Sequence, residues 1–92
     1  MFYRRKLVFA LLEKFEDGLE STRLQKLMFL LTQMQKEPNY DFVPYRYGCY
    51  SYSLKADLGA MVKHDWLIES EKTYSLKVKK KFYTEQILLL LL

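Results

Sequence analysis

The chain has 92 residues, half of them apolar and 16% aromatic. That length supports one hydrophobic core and not two, and the apolar share excludes a disordered tail. The net charge of +4 biases the chain toward anionic partners, nucleic acid or an acidic protein face, while the lone Cys49 excludes an intrachain disulfide and, with the single His64, leaves too few soft ligands for a structural zinc ion.

In chain order, the basic run Arg4-Arg5-Lys6 reads as a solvated face. Glu13 and Lys14 interrupt the apolar stretch behind it and no cleavage site follows, so no signal peptide is expected. Leu7, Val8, Leu11, Leu12 and Phe15 share one helical face, which predicts a first helix over 5–15, stopped by Asp17-Gly18. Thr22 followed three residues on by Gln25 forms a capping-box pattern and predicts a second helix over 22–35. Leu24, Leu27, Met28, Leu31 and Met34 face inward in it, Gln25, Lys26 and Gln33 outward, and Pro38-Asn39 follow its end. From Tyr40 to Tyr52 the chain turns aromatic and irregular, with Pro44 and Gly48 as breakers, which predicts a structured loop with a short strand at 42–45. Ser51 or Ser53 then caps a third helix running to about His64, with Leu54, Leu58, Met61 and Val62 inward. Trp66-Leu67-Ile68 and Thr73 to Leu76, around the polar turn Glu69 to Lys72, predict a β-hairpin.

The expected fold is mainly α with a small antiparallel β-hairpin, a winged helix-turn-helix of the α+β class over residues 1–81, in which the hairpin is the wing. Its expected core is Leu7, Val8, Leu11, Phe15, Leu24, Leu27, Met28, Leu31, Leu54, Leu58, Val62, Trp66 and Ile68. Residues 82–92 form an apolar C-terminal tail whose last six, Ile87 to Leu92, are far short of the roughly 20 that span a membrane. So apolar an end is expected to be buried, either as the mark of a truncated longer protein or as a homodimer contact.

Three stretches together resemble the Panacea-type (SocA-like) antitoxin domains: Leu24-Gln25-Lys26-Leu27, then Tyr45-Arg46-Tyr47-Gly48-Cys49-Tyr50-Ser51, then Asp57-Leu58 continuing to Trp66-Leu67-Ile68. The resemblance covers about Arg4 to Leu76. Cys49 stands where those domains usually carry Pro, a departure that bears on the loop's conformation and on any contact built on it. What the resemblance implies is a prokaryotic or phage origin and a role in toxin neutralisation, defence or local regulation.

Two surfaces are candidates for function. Lys55 and Lys63 lie at the margins of the third helix's outer face, and Lys77, Lys79 and Lys80 follow the wing, the positions from which a winged helix touches phosphates of double-stranded DNA. Between the helix margins, Ala56, Gly59 and Ala60 offer no groups that read base edges; they permit close approach of another backbone instead, and with Tyr45, Tyr47 and Tyr50 of the aromatic loop they make a candidate surface for a partner protein such as a toxin. The bland alternatives are a solvent face and a loop that covers a small core. No cofactor is expected. Cys49 and His64 lack an orienting third group and an oxyanion hole, and no phosphate loop or carboxylate pair is present, so the expectation is a cytoplasmic, non-enzymatic module.

Overall fold

In the computed structural model, which describes residues 3–46 and 48–77, the apolar periodicity becomes three helices: α1 (Tyr3–Leu12), α2 (Ser21–Gln33) and α3 (Tyr52–Lys63). Short strands stand between and after them: β1 (Leu19–Glu20), β2 (Val43–Tyr45), β3 (Gly48–Tyr50), β4 (Leu67–Ser70) and β5 (Thr73–Leu76). β1, β5 and β4 form one antiparallel sheet in that spatial order, and β2 and β3 form a separate antiparallel hairpin. The molecule is thus a helix-rich α+β fold with a small antiparallel sheet. Tyr47, Lys79, Lys80 and the tail from Ile87 to Leu92 lie outside the described residues, as does the expected boundary near residue 81.

The core draws Leu7, Val8 and Leu12 from α1, Leu24 and Met28 from α2, and Leu54, Leu58 and Met61 from α3. The sheet adds Leu19, Leu67, Tyr74 and Leu76. Leu11, Phe15, Leu27, Leu31, Val62 and Trp66, expected in the core, pack half-buried against it. Two expectations are overturned. Ile68 is 48% exposed because β4 alternates: Leu67, opposite Leu76, points inward and sends its neighbour out. Met34 is 70% exposed, since it is the residue on which α2 ends.

The start of α2 also differs from the capping-box reading. β1 pairs with β5 through Glu20, and the Ser21 amide donates to the Lys72 carbonyl at 2.8 Å, which starts the helix one residue early and leaves Thr22 inside it. Glu20 becomes the cap, its carboxylate accepting from the Thr22 amide at 3.0 Å. That frees Gln25, expected on the outer face, for the interior, where it is 4% exposed. The α3 cap follows the expectation: Ser51 Oγ accepts from the Leu54 amide at 3.1 Å. At the other end, Asp65 takes a left-handed φ of 67° and the Trp66 amide donates back to Met61 at 2.9 Å, a Schellman stop that aims the chain into β4.

Gly18 connects α1 to the sheet at φ 86°, and a Cβ there would lie 2.5 Å from the Tyr74 carbonyl oxygen. The left-handed backbone alone costs a side chain about 1–2 kcal/mol, and the contact with backbone adds to it. Gly18→Ala is therefore expected to lower the thermal midpoint by roughly 5–15 °C, measured by circular dichroism. A midpoint unchanged from the parent would mean that β1 does not hold this register against β5.

Candidate functional site

Arg4 and Arg5 of the basic run at the start of α1 are drawn into an ion-pair cluster instead of forming only a solvated face. Asp57, on α3, has a side chain 3% exposed, and its carboxylate accepts from Arg4 Nε at 2.6 Å and from Arg5 at 3.1 Å. The hydroxyl of Tyr40 donates to the same carboxylate at 2.8 Å, and the ring of Tyr40 is itself buried. Burial opposes the charge on Asp57, but hydrogen bonds from Arg4, Tyr40 and Arg5 outweigh it and hold the carboxyl below its ordinary range. Burial, with the bond to Asp57, pushes the Tyr40 phenol far up, so it stays a neutral donor. The cluster joins α1, the segment before β2, and α3; it fixes the angle at which α3 is presented.

Gln25 does the same for the aromatic hairpin. Its carboxamide accepts from the Ser51 amide at 2.8 Å and donates to the Ser51 carbonyl at 3.1 Å, satisfying both backbone groups of a fully buried residue. Ser51 ends β3 and caps α3, so one glutamine seats the hairpin and the first turn of α3 on α2.

The aromatic segment divides in two. Tyr40 is core, and Phe42 packs edge-on against Phe29 at 5.4 Å. Beyond them β2 and β3 raise Tyr45 and Tyr50 to the surface, where their ring centroids are 4.8 Å apart, and Tyr52 of α3 meets Tyr50 edge-on at 5.0 Å. Tyr45 and Tyr52 remain 52% and 63% exposed. Tyr52 was missed from the sequence: its position just past the Ser51 cap, at an outward-facing start of a helix, was the available signal.

The same face continues along α3, where Lys55, Ala56, Gly59 and Lys63 are exposed and Ala60 is half-exposed. Two of the lysines on or beside this face, Lys55 and Lys77, have partners within the chain. The ammonium of Lys55 donates to the buried Tyr74 hydroxyl at 3.3 Å, a bond that raises the Lys55 pKa against the cost of burial. Lys77 pairs with Asp65, β4 carries Glu69, and the β4-β5 turn carries Glu71. Between the two hairpins lies a cleft of about 290 Å³, walled by Ser21, Thr22 and Gln25, by Tyr45, Cys49 and Tyr50, and by Lys55, Glu69 and Lys72.

Cys49 opens into that cleft, whereas His64 ends α3 and stacks on Trp66 at 5.2 Å. Twelve helical residues, about 18 Å of axis, separate the two, so they do not form a nucleophile and its base. Among the described residues no group of three His, Cys, Asp or Glu side chains is placed to hold a metal, and no helix is long and apolar enough to cross a membrane. Comparison with protein-family models, with curated proteins and with solved structures finds no match to this chain.

Proposed function

We propose that the chain is a non-catalytic winged-helix module that binds a partner protein through the face built by the β2-β3 hairpin, α3 and the β4-β5 wing. The observation that carries this reading is the triad of the exposed Tyr45 and Tyr52 around the half-buried Tyr50: large rings held against one another on an anchored hairpin and the start of α3 offer contact area at low entropic cost. The small-residue stripe Ala56, Gly59, Ala60 beside it lets a partner's backbone approach. The winged-helix assignment is supported by the order α1, β1, α2, α3, β4, β5 and by the sheet order β1-β5-β4, with β2-β3 as an addition between α2 and α3. The likeness to Panacea-type antitoxin domains suggests the kind of partner, a toxin that the module neutralises in the cytoplasm of a prokaryote.

DNA binding is the competing reading, and the exposed Lys63 at the edge of α3 is what favours it. Against it stand the intramolecular partners of Lys55 and Lys77, the Tyr74 hydroxyl and the exposed Asp65, and the two glutamates of the wing. The two readings separate on salt, since phosphate contacts weaken steeply as salt rises and an apolar interface does not.

The test uses the full chain and the partner cross-linked to it in the organism that encodes it. The double variant Tyr45→Ala, Tyr52→Ala should melt within a few degrees of the parent, because both rings are largely exposed. It should bind the partner about thirtyfold more weakly or worse, the loss of one hot spot of about 2 kcal/mol, at low and high salt alike. Tight, salt-sensitive binding to a short DNA duplex that Lys63→Glu abolishes and the tyrosine variant leaves intact would overturn the proposal.

A further inference from the structure

We infer that the cleft between the β2-β3 hairpin and the wing takes an extended peptide segment of the partner, one carrying a carboxylate side chain flanked by apolar residues. This rests on the protein-binding reading above and specifies its chemistry.

The charge balance of the walls selects the acid. Three ionisable groups of formal charge at neutral pH face the cleft, Lys55, Glu69 and Lys72. Glu69 lies near Lys55 and Tyr74, so its charge offsets one of the two lysines. Lys72 has no ion pair among the described residues, and its backbone is held at the cleft: φ is 64°, and its carbonyl accepts from the Ser21 amide at 2.8 Å. The cleft therefore carries one net positive charge, with Ser21 and Thr22 of the first turn of α2 in its wall. A single carboxylate satisfies that arrangement.

The rest of the lining selects a peptide. Tyr45 and Tyr50 also line the cleft and continue to the exposed Tyr52, which offers apolar area to the residues on either side of the acid. A nucleic-acid strand fits less well. Base stacking requires free ring faces, and Tyr45 and Tyr50 are tilted only 30° from parallel at 4.8 Å, so each spends one face on the other.

The experiment is a titration of the isotope-labelled full chain, followed by amide chemical shifts, with three capped probe peptides: Leu-Glu-Leu, Leu-Gln-Leu and Leu-Lys-Leu. The acidic probe is expected to move the amides of Thr22, Cys49, Tyr50, Lys55 and Lys72 with millimolar or better affinity, about tenfold or more tighter than the lysine probe. Lys72→Glu should invert that order while the remaining spectrum stays unchanged, which shows that the fold is intact. Absence of localised shifts, equal response to all three probes, or an order unchanged in Lys72→Glu would overturn the inference, as would a thymidine oligonucleotide that moves these amides when the peptides do not. If the inference falls while Tyr45→Ala, Tyr52→Ala still weakens the identified partner, the protein-binding reading stands without it.

Discussion

Asp57→Ala is expected to leave most of the chain unfolded at 37 °C, a result that thermal melting followed by circular dichroism reads directly. The substitution removes the shared acceptor of Arg4, Arg5 and Tyr40 and leaves their donors in a site where the Asp57 side chain is only 3% exposed. Breaking a buried ion pair from one side costs about 3–5 kcal/mol, and each kcal/mol is worth roughly 4–8 °C in a domain of this size. Arg4 is partly exposed and contributes less of this than Arg5 and Tyr40 do. The same cluster sets the acid limit of the fold. The Asp57 carboxyl has a folded pKa below its unfolded value of 3.8, so its stabilisation is complete above about that pH and is lost as pH falls through the lower folded value. Asp57→Asn should flatten that acid limb while lowering stability at neutral pH. An acid limb identical to the parent's would show that another carboxylate governs it.

The second large effect is expected at Gln25. In Gln25→Ala the amide of Ser51 loses its partner inside the protein, whereas its carbonyl keeps the bond from the Lys55 amide at 3.1 Å, and an unsatisfied buried backbone group costs about 1–3 kcal/mol. The loss of about 1–3 kcal/mol should be accompanied by faster hydrogen exchange at Ser51 and Leu54, because the residue that Gln25 holds is the cap of α3. Partner affinity should fall as well, although Gln25 is buried, since the tyrosine face depends on the hairpin being seated on α2. Gln25→Leu fills the volume without the hydrogen bonds and is expected to recover little. Full stability in Gln25→Leu would mean that packing, not the bonds to Ser51, seats the hairpin.

How far these features can be read from the sequence follows from the physics of each. The three helices were legible because their apolar residues repeat on one face, and the Ser51 cap and the β4-β5 hairpin because local residue chemistry specifies them. β1 was not: two residues, Leu19 and Glu20, carry no periodicity, and they become a strand only because β5 is there to pair with. The parity of β4 was misread at Ile68 for a similar reason, since Trp66, Leu67 and Ile68 are all apolar and alternation gives no phase. Polar residues were the hardest. Arg4, Arg5 and Gln25 look like solvent-facing positions until residues 26 to 53 places away along the chain supply their partners. For the candidate site, Tyr45 and Tyr50 could be named in advance, but their separation from the buried Tyr40 could not.

The central claim, that the hairpin, the outer face of α3 and the wing together receive a partner protein, is tested most directly by hydrogen exchange on the full chain with and without the partner to which it cross-links. Protection gained at Val43 to Tyr45, at Gly48 to Tyr52 and at Glu71 to Lys72, with none gained over the exposed α2 residues Lys26, Leu30 and Gln33, is the result expected. Protection confined to that α2 face, with the tyrosine hairpin exchanging as in the free chain, would contradict it.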